Sequence, residues 1–159
     1  MTDRRIALLL TRPLAQSKGF VNLFEGVSQP SPVHICISPL FEIIFQGPLP
    51  DMSPYRSLIF TSSNGVRAFS QLKPSSILPS FTVGKVTAET AISVGLPAQM
   101  LGLDVQDFTE AILSLKPETP CLHLRGDISR SALATQLSNA GLTTDEAIVY
   151  RQRGLPLTE

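Results

Sequence analysis

The stretch LIFTSSNGVRAF, residues 58–69, indicates the fold class of this 159-residue chain. It opens on an apolar run typical of a buried strand, and it closes with apolar side chains at helical spacing. Between the two lie Thr, Ser, Ser, Asn and Gly, which favour turns and helix starts. A buried strand that runs directly into a helix predicts a βα unit of a parallel sheet.

The same alternation of strand and helix continues along the rest of the chain. Strands are predicted at residues 5–10, 33–38, 40–45, 57–62, 80–84, 98–102, 121–126 and 146–151. Helices are predicted at residues 14–25, 64–72, 85–94, 105–115 and 129–141. The last helix has Asp127 or Ser129 as its predicted N-cap and Gly141 after its end. Residues 152–159 are predicted to be coil. Strands joined by helices of about three turns imply right-handed crossovers and a mostly parallel α/β sheet.

Composition narrows the class of protein. Charged residues make up 16% of the chain, with thirteen basic and thirteen acidic side chains, which argues against disorder and against a broad basic surface for nucleic acid. No signal peptide is visible, and no apolar run approaches the roughly 20 residues that span a bilayer. These features predict a cytoplasmic soluble protein. Cys36 and Cys121 lie in strand-like runs and are predicted to be buried free thiols.

One segment breaks the alternation. Residues 38–56 contain no clear helix where a crossover helix would be expected between neighbouring strands. An extended connector that leaves one domain and enters another explains this segment better.

Four polar turns follow predicted strands and precede predicted helices. They are Thr11-Arg12, the run from Thr61 to Gly65, the run from Gly84 to Thr87, and Arg125-Gly126-Asp127. Helix N-termini with free amides suit a carboxylate or a phosphate, although helix capping explains any single turn more simply. Lys85 and Arg125 could hold an anion or could be solvated turn residues.

Known site motifs are absent from the sequence. There is no dinucleotide fingerprint, no P-loop and no G-x-S-x-G elbow. His34 and Cys36 share one strand face, but without a second pair they are predicted to be core residues and not metal ligands. His123 is predicted to be a core histidine with satisfied hydrogen bonds. The residues alone indicate an α/β protein with an anion-friendly sheet edge.

The order of the turns carries a family resemblance. Six short segments, taken in order, resemble the amino-terminal two-thirds of the uroporphyrinogen-III synthase family. They are LLLTRP, SPLFEI, LIFTSSNGVRAF, FTVGKVTAETA, LHLRGD and AIVYR. The resemblance implies two α/β domains joined by two extended connectors. It divides the chain into a first βα unit of an incomplete domain 1 (1–34), a connector strand and entry to domain 2 (35–56), a parallel-sheet, flavodoxin-like domain 2 (57–147), and a return connector (148–159).

The resemblance also implies a function. The family cyclises hydroxymethylbilane, a linear tetrapyrrole with eight carboxylate side chains, to uroporphyrinogen III with inversion of the last pyrrole ring and loss of water. This is a lyase reaction of heme biosynthesis that needs no metal or organic cofactor. The implied partners are the bilane and hydroxymethylbilane synthase, the enzyme that would supply it. The resemblance implies no nucleic acid partner and no membrane partner. It also implies that the protein is a monomer. Because one segment of the pattern has no counterpart, we expect weak or no activity from this chain alone.

The same resemblance implies the site residues. Tyr150 matches the tyrosine that would protonate the leaving hydroxyl. The substrate-binding residues would be Thr11, Arg12, Thr61, Ser62, Ser63, Asn64, Gly65, Gly84, Lys85, Val86 and Thr87. Two alternatives stay open, a tetrapyrrole-binding module without catalysis and a flavodoxin-like domain that binds another anion.

Overall fold

The chain divides into two compact units in the computed structural model, which describes residues 6–27, 33–74, 77–128 and 132–157. Unit 1 holds the residues up to Ile44 and those from Gln152 onward, and unit 2 holds Phe45–Arg151. The chain therefore enters unit 2 once and returns once. The finer division into four segments stays a prediction. No described helix is both long and apolar enough to cross a membrane.

Unit 1 contains one strand–helix–strand motif. β1 (Ile6–Leu10) and β2 (Val33–Ile37) pair in parallel along all five residues. α1 (Leu14–Val27) joins them and begins just after Pro13, whose carbonyl accepts the Ser17 N–H at 3.0 Å. Proline fits this position because the first helical turn has no use for its missing N–H. β3 (Phe41–Phe45) then leads to unit 2.

Unit 2 is a parallel sheet with helical crossovers. Its elements in chain order are β4 (Ser57–Phe60), α2 (Ser63–Gln71), β5 (Ser80–Val83), α3 (Lys85–Ser93), β6 (Ala98–Gly102), α4 (Val105–Leu115), β7 (Cys121–Gly126), α5 (Leu133–Asn139) and the start of β8 (Thr144–Gly154). The sheet has the order β3-β8-β7-β4-β5-β6. The pairs β4–β5, β4–β7, β5–β6 and β7–β8 are all parallel, which confirms the predicted α/β class.

The core of unit 2 lies on both faces of this sheet. β4 is buried along its whole length, as expected for a central parallel strand covered on both sides. Ile59 points to one face, where it packs in a cluster with Phe108 of α4 and Leu133 of α5. On the other face Phe60 meets Phe69 of α2 edge to face, with ring centroids 5.8 Å apart. The apolar run of residues 58–60 therefore supplies core to both layers.

Several predicted element ends differ from the structure by one or two residues, and two differ by three or more. α5 begins at Leu133 after Ala132, which gives no side-chain cap, and the other proposed cap, Ser129, lies outside the described residues. Asp127 does not cap it, because its Oδ1 accepts the Ile128 N–H at 3.0 Å and α5 begins only at Leu133. Residues 152–154, predicted as coil, belong to β8. They continue as strand beside β3, whose Glu42 forms an ion pair with Arg153.

Candidate functional site

The strand order creates a switch point between β4 and β7. From β4 the chain moves through β5 to β6 on one side, and then returns to build β7 and β8 on the other. The central pair is in register, with Leu58 beside Leu122 and Ile59 beside His123. Open parallel sheets bind ligands beyond the carboxyl ends of their strands at such a point. The fold therefore predicts a ligand site at the turns that follow β4 and β7.

The turn after β4 is a capped helix start. Ser62 has extended backbone, and its hydroxyl accepts the Asn64 N–H at 3.2 Å. The next turn of the helix brings a cation to the same place, because Arg67 Nη1 donates to the Ser63 hydroxyl at 3.3 Å and to Asn64 Oδ1 at 3.4 Å. Capping thus accounts for Ser62, while Arg67 adds positive charge to an end of the helix that already favours anions.

Gly65 lets this turn lie directly on β7. A Cβ atom at this position would be 2.7 Å from the Leu124 carbonyl oxygen, closer than side chains tolerate. Gly65 is buried, and its N–H donates to the Ser62 carbonyl at 3.0 Å. The glycine in the opening motif is therefore required by close contact between helix and sheet, and not by an unusual backbone angle.

The turn after β5 offers backbone amides without a side-chain cap. Gly84 has φ +75°, a left-handed region that favours glycine, and its N–H donates to the Gly102 carbonyl at 2.8 Å. No side chain caps α3, and the first amides of a helix have no partner inside it. Lys85 is exposed and lies 3.7 Å from Glu89, Val86 is exposed, and Thr87 is buried. This turn can therefore bind an anion through main-chain N–H groups.

Tyr150 lies at the same edge, near the end of the paired part of β8. It is buried, and a Cβ on Gly126 would lie 2.6 Å from its ring and 3.0 Å from its hydroxyl oxygen. A glycine at position 126 is thus what allows the tyrosine ring to lie across β7. The parallel strands bring Tyr150 and the turns after β4 and β5 to one edge of unit 2.

Thr11 and Arg12 belong to unit 1. They follow β1, at its carboxyl end. The Thr11 carbonyl accepts the Leu40 N–H at 3.0 Å, and the Arg12 carbonyl accepts the Ser17 hydroxyl at 2.9 Å. These main-chain contacts hold the turn, and the Arg12 side chain is exposed. Their predicted role in substrate binding stays a prediction.

A buried polar network joins the two central strands, and the sequence did not reveal it. His123 is 1% exposed, and its Nε2 lies 3.2 Å from the Thr61 hydroxyl. On the other side, His123 Nδ1 lies 3.6 Å from Glu146 Oε1, too far for a hydrogen bond. Glu146 also accepts a bond from Arg125 Nε at 2.7 Å. Arg125 is thus committed within the protein, and His123 is satisfied on one nitrogen only.

Burial keeps His123 uncharged. Burial, the largest cause, lowers the pKa of His123 to about 4, the Glu146 carboxylate opposes this, and Arg125 adds to it. The order hydroxyl, imidazole, carboxylate resembles a nucleophilic triad. A histidine with so low a pKa is a weak base near neutral pH, so the geometry does not favour activation of Thr61 as a nucleophile.

The alternation of side chains along each strand could have predicted part of this network. Thr61 follows Ile59 by two residues, and Ile59 pairs with His123, so both side chains project from the same face of adjacent strands. Glu146 pairs with His123 on the other side. Once the order β8-β7-β4 is known, the three side chains must be neighbours, but the sequence alone does not fix that order.

The other histidine and the two cysteines are not part of this network. Cys36 and His34 on β2 are both exposed, with Sγ 3.3 Å from Nδ1, so their prediction as core residues is wrong. In β2 of unit 1 these alternate positions are left uncovered. Cys121 is buried as predicted. Among the described residues no group of three or more His, Cys, Asp or Glu could hold a metal ion.

A cavity of about 450 Å³ opens at the opposite edge of unit 2. Its lining includes Arg56, Pro79, Phe81, Gln99 and Glu118, near the amino ends of the strands. Three backbone carbonyls already hold Arg56 Nη1, at 3.0 to 3.3 Å. Because ligands of open parallel sheets bind at the carboxyl ends, we assign the candidate site to the turns after β4, β5 and β7.

Comparisons with known proteins agree with this fold. A sequence model described as uroporphyrinogen-III synthase HemD matches residues 32–157. No curated protein sequence matches the chain. Among solved structures, uroporphyrinogen-III synthetase from Helicobacter pylori 26695 is 25% identical with a TM-score of 0.63, covering 82% of this chain and 61% of that one. A mutant uroporphyrinogen III synthase from Thermus thermophilus is 16% identical with a TM-score of 0.58, covering 95% of this chain and 64% of that one.

The family match covers far more than half of the chain, including every element of unit 2. The chain spans less than two thirds of the length of both solved relatives. On the match to its sequence, the chain belongs to the uroporphyrinogen-III synthase family.

Proposed function

We propose that the protein acts in uroporphyrinogen-III synthesis, and that unit 2 supplies one wall of the tetrapyrrole site. The reaction would be the cofactor-free cyclisation of hydroxymethylbilane, with inversion of the last ring and loss of water, which is a lyase reaction. Family membership supports the chemistry. The observation that carries the site is the meeting of two helix N-termini and Tyr150 at one edge of a parallel sheet.

The charge of the substrate suits this edge. A bilane with eight carboxylates needs many hydrogen-bond donors. The uncapped amides at the start of α3 and the Arg67 guanidinium near the start of α2 are donors of the right kind. Lys85 lies at the same turn, 80% exposed, and can meet a flexible carboxylate arm in solvent.

Tyr150 is the proposed acid for the leaving hydroxyl. Its ring packs against Gly126 and is buried, which supports a defined orientation of its hydroxyl. A positioned phenol can donate a proton as water leaves. Thr11 and Arg12 complete the proposed set of binding residues from unit 1. We further propose a monomer in the cytoplasm that receives its substrate from hydroxymethylbilane synthase.

The test is an isomer assay with freshly made hydroxymethylbilane. We expect a small fraction of isomer III above the uncatalysed control, and saturable binding of uroporphyrinogen III. The Tyr150→Phe variant should lower the isomer III fraction while it keeps binding. Isomer I alone, together with no binding, would overturn the proposed function.

A binding module without catalysis is the second candidate. It is favoured by the helix starts of unit 2, which can bind carboxylate arms without a catalytic acid. It predicts saturable binding of uroporphyrinogen III and only isomer I from the bilane. The same assay separates the two candidates.

A further inference from the structure

The proton on His123 is placed by its two neighbours. A carboxylate only accepts hydrogen bonds, so Glu146 Oε1, 3.6 Å from Nδ1, favours the tautomer with hydrogen on Nδ1. The opposite tautomer would turn an Nδ1 lone pair toward that negative charge inside the protein. Among the described residues Nδ1 has no hydrogen-bond partner that could change this balance. Nε2 is therefore the unprotonated nitrogen.

The tautomer fixes the direction of the next hydrogen bond. Because Nε2 has no hydrogen, the contact of 3.2 Å requires the Thr61 hydroxyl to donate its only proton to His123. The low pKa of His123, about 4, keeps the imidazole neutral near pH 7, although the Glu146 carboxylate acts in the opposite direction. Thr61 is half-buried in the turn after β4, and its hydroxyl oxygen then has lone pairs to offer and no proton to give.

We propose that His123 is a positioning residue that makes Thr61 a pure hydrogen-bond acceptor, so that Thr61 recognises a pyrrole N–H of the ligand and not its carboxylate arms. This inference rests on the proposed function, since it names the part of the ligand that Thr61 binds in that site. The arms are then bound by the donors around it, at the starts of α2 and α3. Different groups at this edge would thus bind different parts of one ligand. Hydrogen-bond donors would bind the anionic arms, and the Thr61 acceptor would bind an N–H group of a ring.

The first test measures the tautomer without ligand. In a long-range ¹H–¹⁵N spectrum of the full chain at pH 7, His123 should show a protonated Nδ1 and an unprotonated Nε2. His34, the second of the two histidines, is exposed and serves as the internal reference. A protonated Nε2, or two equivalent nitrogens of a charged ring, would overturn the inference whatever the protein binds.

The second test compares a probe that has pyrrole N–H donors with one in which methyl groups replace those hydrogens. One is a dipyrromethane with acetate and propionate arms, and the other is its N-methylated counterpart. Wild-type protein should bind the N–H compound about 5- to 10-fold more tightly, as expected for one neutral hydrogen bond. Thr61→Val should remove this preference, and Thr61→Ser should keep most of it. Lys85→Ala should weaken both probes equally.

The outcomes separate this inference from the proposed function. If both probes bind with equal affinity and Thr61→Val changes neither, the inference fails while tetrapyrrole binding stands. If neither probe nor uroporphyrinogen III binds, the proposed function fails and the inference fails with it.

Discussion

Replacement of Gly65 by Ala tests the contact that holds the first site turn on the sheet. The new Cβ would lie 2.7 Å from the Leu124 carbonyl oxygen, whereas ordinary contacts begin at 3.4 Å. The obstacle is backbone, so no side chain can rotate away. The start of α2 must then retreat from β7 by about 0.7 Å, the difference between these two distances.

Two opposing terms give the size of the effect. Overpacking of this kind costs about 1 to 3 kcal/mol. Alanine favours a helix over glycine by up to about 1 kcal/mol. Because Val66 and Phe69 of the same helix are fully buried and would lose packing, we expect a net loss of about 1 to 2 kcal/mol in the free energy of unfolding.

Urea unfolding followed by tyrosine fluorescence measures this loss in unit 2 alone. The chain has no tryptophan, and its two tyrosines, Tyr55 and Tyr150, both lie in unit 2. The midpoint should fall by roughly 1 M urea.

Gly19→Ala is the matched control. Gly19 lies in α1 of unit 1, and nothing lies within 4 Å of the position that a Cβ would take there. The tyrosine transition should not change in this variant, and the helix should gain up to about 1 kcal/mol. A Gly65→Ala protein as stable as the wild type would refute the reasoning.

Three further predictions concern the buried network, a helix cap and the tyrosine. The pKa of His123 is lowered from 6.5 to about 4, so between these pH values only the unfolded chain binds a proton on this histidine. The free energy of unfolding is therefore unaffected by His123 above pH 6.5, and it falls by about 3 kcal/mol as the pH drops to about 4. His123→Gln should flatten this loss in tyrosine-monitored urea unfolding, and an unchanged pH dependence would contradict it. Asp104→Ala should lower stability by about 1 kcal/mol in the same assay, because Asp104 Oδ1 caps two amides of α4 at 2.8 and 2.9 Å. Gly126→Ala should displace the Tyr150 ring and cost about 1 to 3 kcal/mol, whereas Gly154→Ala, in open space on β8, should change stability by less than about 0.5 kcal/mol; equal effects would count against the packing argument.

Local chemistry made much of unit 2 predictable. β6, α4 and β7 have the predicted bounds, because apolar periodicity and turn residues agree at both ends of each element. Gly141 follows the end of α5 at φ +90°, as predicted from its residue type.

Long-range pairing was harder to predict. The strand in residues 152–154 depends on β3, which is a hundred residues away in the chain, and the sequence around Gly154 and Pro156 is typical of coil. The bond between Thr61 and His123 likewise depends on the order of β4 and β7 in the sheet. The polar turn residues could be located from sequence, but not which of their hydrogen atoms are already committed.

The position at which a tetrapyrrole binds to unit 2 is the most direct test of the proposed site. The measurement is an amide ¹H–¹⁵N titration of the full chain with uroporphyrinogen III under anaerobic conditions. We predict saturable shifts at residues 61–65 and 84–87, beyond the carboxyl ends of β4 and β5, with little change around Arg56 and Glu118. Saturable shifts confined to the cavity at the amino ends of the strands, or no saturable shift at all, would contradict this assignment.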